Sequence, residues 1–187
     1  MRKGNLFVIS GPSGAGKGTI VNEAMCRVSD AWLSISATTR APRDGEQEGI
    51  HYFFVTDAEF DSMIESGALL EWAHVHGKRY GTPRTVVEKH IASGEQVILE
   101  IDVQGALRVK EVYPQAFLIF IEPPGLVELK RRLVMRGSEN EIEGALRLRN
   151  AVEELSLKDN YDVSFVNDDL NTCVNDVVEY INKNANL

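Results

Sequence analysis

The heptapeptide Gly11-Pro12-Ser13-Gly14-Ala15-Gly16-Lys17 follows the apolar run Leu6-Phe7-Val8-Ile9 and opens a helical pattern reaching to about Val28. An uninterrupted apolar run of this length suits a strand covered on both faces of a parallel sheet. The glycines let the backbone turn its N–H groups inward as a concave nest for anionic oxygens, and a helix N-terminus aims partial positive charge at the same point. Lys17 adds a full charge that can follow a phosphoryl group as it moves. Strand, glycine loop and helix in this order predict that Gly11, Pro12, Ser13, Gly14, Ala15, Gly16, Lys17, Gly18 and Thr19 hold the phosphates of ATP. One position departs from the full pattern. Serine or threonine is expected directly after the lysine, but Gly18 stands there and Thr19 follows. The hydroxyl that usually faces magnesium is thus displaced by one position, which points to a metal held more by phosphates and water.

Similar apolar runs recur at Val97-Ile98-Leu99, at Phe117 to Ile121 and, more weakly, at Val163-Ser164-Phe165-Val166. Helical patterns lie between and after them, near Thr85 to Ser93, Val103 to Val112, Leu126 to Met135 and Leu170 to Asn184. Strands alternating with helices of this length predict right-handed crossovers and a parallel α/β sheet flanked by helices. Two stretches break the alternation. Residues from about Ser34 to Pro83 are rich in Arg, Gly, Tyr and His, with a strand-like piece at Tyr52 to Val55. Those from about Gly125 to Leu155 are charged and helical, with a break expected at Gly137. Both read as excursions from the sheet.

At 187 residues the chain suffices for one compact domain. Its net charge of −8 argues against a general affinity for nucleic acid or an anionic membrane surface, so phosphate binding has to rest on a few well-placed cations. No apolar run is long enough to span a bilayer, and the first is too short for a secretion signal. Cys26 and Cys173 lack the spacing of a disulfide or zinc framework and read as buried thiols of a reducing cytoplasm.

The run Val97 to Asp102 places two carboxylates at the C-terminal end of a core strand, the edge where open α/β sheets bind ligands. Glu100 and Asp102 share one face, and either could approach magnesium or a substrate base. Lys130, Arg131, Arg132, Arg136, Arg147 and Arg149 form a local excess of cations in an acidic chain. Phosphoryl transfer has a use for mobile guanidiniums. Interspersed Glu139, Glu141, Glu143 and Glu153 equally suit a salt-bridged helical hairpin. His51, His74, His76 and His90 have neither metal spacing nor a nucleophile partner, and Trp72 reads as packing.

The phosphate loop resembles that of guanylate kinases. So do Thr38-Thr39-Arg40-x-Pro42-Arg43-x-Gly45-Glu46, Tyr52-x-Phe54-Val55, Glu71-Trp72-Ala73, Tyr80-Gly81-Thr82, Ile101-Asp102-x-Gln104-Gly105 and Val166-Asn167-Asp168-Asp169, in the family's order over nearly the whole chain. The resemblance implies a core at about 1–33, 84–124 and 156–187, an inserted GMP-binding part at about 34–83 and a lid at about 125–155. It implies transfer of the terminal phosphoryl group of ATP to GMP, with Mg2+. Ser36, Arg40, Arg43, Tyr52 and Tyr80 fall at GMP positions, the arginines and tyrosines on its phosphate. Glu71 and Asp102 fall at guanine-reading positions with Thr82 beside them. Arg136 and Arg147 fall on lid arginines that, with Lys17, Arg40 and Arg43, make up the catalytic set, and Asn167 falls near adenine.

The chemistry of these residue types agrees. A guanidinium fork suits a monophosphate. Guanine offers N1–H and a 2-amino group, both of which an ionised carboxylate accepts, whereas adenine would leave that carboxylate unpaired. Besides Gly18, Glu100 stands where the family more often has aspartate, so Thr19 and Glu100 are the candidate groups toward magnesium. The rivals are a kinase of another monophosphate or of a phosphorylated sugar, and a phosphopeptide-binding scaffold, in which the phosphate loop is typically degraded.

Overall fold

A computed structural model describes residues 2–75, 77–135 and 141–185. The chain runs β1 (Asn5–Ser10), α1 (Lys17–Arg27), β2 (Ala31–Leu33), β3 (Ala37–Thr38), β4 (Phe53–Phe54), α2 (Asp57–Glu65), β5 (Leu69–Val75) and β6 (Lys78–Pro83). It continues with α3 (Arg84–Ala92), β7 (Gln96–Glu100), α4 (Val103–Val112), β8 (Phe117–Glu122), α5 (Leu126–Met135), α6 (Glu141–Leu155), β9 (Val163–Val166) and α7 (Leu170–Asn184).

Five parallel strands form the main sheet in the order β2-β7-β1-β8-β9. Its apolar runs are continuous because both faces are covered. Phe7, Ile9, Ile98, Ile119 and Ile121 pack on one side against Ile20, Val21 and Ala24 of α1 and Val174, Val177 and Ile181 of α7. Leu6, Val8, Val97, Leu99 and Leu118 face the other side, against Val87 of α3 and Ala106 and Val109 of α4. Alternate residues of each strand thus serve opposite cores, the period of two expected of a pleated strand. Fully burying each such side chain contributes about 1.5–3 kcal/mol. β1 lies at the centre, with β2 and β7 to one side and β8 and β9 to the other, so the chain's direction of travel across the sheet switches beside it. Crevices for ligands open at the carboxyl ends of strands at such points.

The first excursion folds on itself. β4, β3, β6 and β5 make a second sheet in that order, with β5 and β6 an antiparallel hairpin. Phe60 of α2 and Leu69 close a small core under it with Phe53 and Trp72. α2 is held at its start by a capping box between Thr56 and Glu59. In the second excursion α5 and α6 pair through Leu129, Leu133 and Ala151, a cluster separate from those of the sheet.

One expectation fails: only Cys173 is buried, while Cys26 is exposed. On α1 it lies two residues beyond the buried Ala24, about 200° round the helix, which turns it to solvent. The expected break at Gly137, along with His76, Arg136 and Glu139, lies outside the described residues.

Candidate functional site

The loop after β1 owes its shape to Gly11, Gly14 and Gly16, with φ of 144°, 84° and 95°. Gly16 is the N-cap of α1 and could not be replaced without strain, being left-handed and closely approached. A β-carbon there would lie 2.4 Å from Nδ2 of Asn167. That amide nitrogen donates to the Ala15 carbonyl at 2.7 Å, so the buried residue just after β9 braces the loop from behind. Asn167 is thereby engaged with the loop backbone, and its own carbonyl accepts from Arg132.

Like α3, which follows Pro83, α1 begins without a side-chain cap, but α1 alone of the two opens from the glycine loop. Thr56, Asp102 and Asp169 cap α2, α4 and α7 with their own oxygens, whereas α1 has no side-chain cap and no acidic residue in its first turn. Its leading N–H groups and positive end are left facing the loop, as an anion site requires. Lys17 is folded back across the loop and donates to the carbonyls of Gly11 and Pro12.

A cleft of about 250 Å3 opens beside the loop. It is lined by Lys17, Ser36, Tyr52, Glu71, Tyr80, Glu100 and Asp102 among others, so strand ends of the main sheet and side chains of the second sheet meet in one space. A larger open hollow of about 520 Å3 lies at the opposite, amino ends of the strands around Arg2–Leu6 and Ile91–Gly94. The smaller cleft is the chemical one, because the loop, the carboxylates and the tyrosines converge there.

Glu71 and Thr82 are paired across the β5–β6 hairpin, and the buried Thr82 hydroxyl donates to the Glu71 carboxylate at 2.7 Å. Burial pushes the Glu71 carboxyl up to about 7, against the pull of the Thr82 hydrogen bond. The neighbouring charge of Asp102 adds to the rise and Arg108 opposes it. A register shift between Leu69 and Glu71 turns the strand. Leu69 joins Trp72 in the small core, and Glu71 faces the cleft; bulges near active sites commonly re-aim side chains in this way.

Asp102 caps α4, accepting from the N–H groups of Gln104 at 2.9 Å and Gly105 at 3.1 Å. The start of α4 comes very near Glu71: a β-carbon on Gly105 would lie 2.9 Å from Glu71 Oε2. Gly105 appears in the sequence as part of a motif without a role, and its function is to leave that carboxylate room.

Arg40 is set toward the cleft by several contacts. Its guanidinium donates to both oxygens of Glu46 at 2.8 and 2.9 Å and to the Tyr80 hydroxyl at 3.2 Å, and lies 5.3 Å from the centre of the Tyr52 ring. Glu46 also accepts from the Arg43 N–H, so one carboxylate organises the Arg-x-x-Arg turn while the Arg43 side chain is exposed. Burial raises the Tyr52 hydroxyl's pKa above its ordinary value.

Other assignments sort less tightly. Thr19 is exposed, Glu100 is exposed at the end of β7, and Arg147 is half-buried on α6. Arg131 and Arg149 are engaged with Glu128 and Glu153 on their own helices, as the salt-bridged alternative anticipated. Sequence reasoning missed Glu154. From α6 its carboxylate lies within electrostatic reach of Lys17 in the phosphate loop and of Asp102. Burial raises its pKa, against the attraction of Lys17. A lone glutamate in a charged helix carries no signal of such a reach.

Among the described residues no group of three or more His, Cys, Asp or Glu converges to hold a metal, and no helix is long and apolar enough to cross a membrane. Magnesium commonly takes one or two carboxylates together with substrate phosphates, and hard oxygen donors at the end of β7 beside the loop fit that habit.

A model of the guanylate kinase family matches residues 3–184. The chain is 50% identical over 173 residues to a guanylate kinase of Caldanaerobacter subterraneus subsp. tengcongensis, covering 92% of this chain and 84% of that one. With a guanylate kinase of Thermotoga maritima it shares 46% over 179 residues, covering 96% and 86%. The crystal structure of guanylate kinase from Anaplasma phagocytophilum superposes with a TM-score of 0.81 at 32% identity, over 98% of this chain and 87% of that one.

Proposed function

The chain belongs to the guanylate kinase family, and on that premise we propose how its residues divide the transfer of the terminal phosphoryl group from ATP to GMP. The observation that carries this reading is the single cleft shared by Lys17 of the phosphate loop and the polar set of the second sheet. Donor phosphate and acceptor nucleotide have to meet in line, and such a cleft is where they can.

The uncapped start of α1 and the glycine loop bind the ATP phosphates, with Lys17 exchanging the loop's own carbonyls for phosphate oxygens. GMP enters from the second sheet. Its guanine N1–H and 2-amino group donate to carboxylates of Glu71 and Asp102, while Ser36 or Thr82 can donate to O6. Its phosphate takes hydrogen bonds from Arg40, Arg43, Tyr52 and Tyr80, and Glu46 and Tyr80 already hold Arg40 in direction. One oxygen of that phosphate attacks the terminal phosphorus of ATP, and the bond to the bridging oxygen breaks with its electron pair leaving on ADP. The nucleophile is anionic from the start, so no side chain is required as a general base. Lys17, Arg147 and Arg136 neutralise charge that spreads over the transferring group, Arg136 lying outside the described residues. Magnesium, when bound with ATP, would neutralise charge on the donor phosphates; Glu100, which lines the cleft, and Thr19, at the exposed start of α1, are this chain's candidate groups toward it.

In this reading residues about 34–83 and 125–155 act as acceptor-binding part and lid on the core. Partners are small nucleotides, and the net charge of −8 suits neither nucleic acid nor membrane. Two free thiols suit a reducing compartment such as the cytoplasm.

A coupled assay with ATP, magnesium and each of GMP, AMP, CMP and UMP tests the assignment. Turnover with GMP far above the other three is expected. Preference for AMP, or no turnover with any, overturns it.

A further inference from the structure

Two departures that look independent in sequence meet in space. Glu100 ends β7 in register with Ile9 of β1, and Gly18 is the second residue of α1. A β-carbon placed on Gly18 would find Glu100 as its nearest neighbour, with Oε1 at 3.4 Å, Oε2 at 3.7 Å and Cδ at 4.0 Å. The space into which a serine at 18 would project is therefore fronted by this carboxylate. An aspartate at 100, one methylene shorter, would withdraw from it. What is lost at one position is regained at the other. Thr19 projects about 100° further round the helix and is exposed, so its hydroxyl does not enter the same space.

We propose that Gly18 and Glu100 form one coupled unit, in which the Glu100 carboxylate supplies the oxygen that a hydroxyl at position 18 would otherwise turn toward the magnesium of bound nucleotide. The inference rests on the loop being the phosphate site of ATP. It makes Glu100 a metal-facing group of this particular chain, matched in length to a glycine.

The test is a double-mutant cycle read by electron paramagnetic resonance of Mn2+, titrated into protein saturated with the β,γ-imido analogue of ATP. Glu100→Asp alone is expected to weaken Mn2+ binding by about 10- to 100-fold, the range seen when a supporting metal contact is lost. Glu100→Gln, which keeps the length and removes the charge, should weaken it similarly. Gly18→Ser alone should bind no more tightly than wild type, because the serine meets the carboxylate already there. Combining Gly18→Ser with Glu100→Asp should recover affinity to within about twofold of wild type, the scatter of independent sites. A double variant as weak as the product of the single effects, or a Glu100→Gln variant unchanged from wild type, overturns the proposal. Metal-free affinity for the analogue, measured for every variant, identifies any that has not folded, and Glu100→Gln against wild type then decides the question alone. Wild type that fails to bind the analogue would sink the reading of the loop itself. Wild type that binds it and phosphorylates GMP while the cycle is additive sinks only the coupling.

Discussion

Glu71 is a carboxylate in surroundings that disfavour its charge, and its use follows from that tension. With the folded-state carboxyl near 7 and an unfolded glutamate near about 4.3, the native protein binds the extra proton between those values. Stability therefore falls as pH rises through this window, the slope being set by the excess of protons in the native state. Glu71→Gln, neutral throughout, should unfold at higher urea than wild type at pH 8, by on the order of 1–3 kcal/mol, with the advantage vanishing below about pH 4. Guanine wants the ionised form, so GMP binding should release a proton and tighten about tenfold per pH unit as pH rises toward 7. A phosphate monoester also titrates near about 6, so the variant supplies the control. Calorimetry in buffers of different ionisation enthalpy should find proton release reduced and GMP affinity lowered in Glu71→Gln. Equal proton counts in both proteins would remove Glu71 from the base-reading role. Lys17 is the simpler case. Lys17→Ala takes away the one full charge of the loop without touching its glycines. Turnover should fall by about 10²- to 10³-fold or more in the coupled assay while the urea midpoint stays near wild type.

Asp102 serves an element and a ligand together, and the two duties can be separated. As N-cap it satisfies two of the leading N–H groups of α4. Asparagine caps about as well as aspartate, and alanine loses about 1 kcal/mol. Asp102→Asn should therefore keep the wild-type urea midpoint while raising KM for GMP, and Asp102→Ala should lower both stability and GMP affinity. Equal KM in Asp102→Asn and wild type would leave Asp102 a cap alone. The same overlay of structure and ligand explains what could be read from sequence. β1, β7 and β8 are legible because two buried faces demand an unbroken apolar run, and α4, α5 and α7 keep their helical period to the residue. β2 is three half-buried residues at a sheet edge and leaves no pattern. The β5–β6 hairpin was illegible as structure because Glu71, Tyr80 and Thr82 replace apolar residues on its cleft face. Motif resemblance singles out those same residues as candidates for binding chemistry, and the structure brings Glu71 and Tyr80 into one cleft. Gly105 and Glu154 went unread for the opposite reason: their roles depend on close approach between elements distant in sequence, which no local pattern records.

The molecule carries its apolar packing in separate parcels, and this bears on which parts can move independently. The main sheet is clamped between two large clusters, and α5 and α6 share a small cluster of their own around Leu129, Leu133 and Ala151. Two helices joined by their own core can open or move as a unit without disturbing the sheet, since local stability follows local burial. The polar links from this pair to the rest include Arg132 to the carbonyl of Asn167, whose side chain braces the phosphate loop, and the attraction between Glu154 and Lys17. ATP phosphates entering the loop would compete with the Glu154 carboxylate for the charge of Lys17 and offer the arginines a new partner, so the pair is placed to respond to the nucleotide. Leu129 is fully buried in the small cluster, and Leu129→Ala should cost about 2–5 kcal/mol there. If α5 and α6 form a unit of their own, hydrogen exchange should quicken across their amides and stay unchanged in β1, β7 and β8. The loss should appear in kcat for GMP phosphorylation more than in affinity for the metal-free ATP analogue, because the loop that binds the phosphates is built on the sheet. Exchange that quickens equally in β1 and α6 would mean the helices and the sheet open together, and closure of a separate lid could not then be the motion that completes the site.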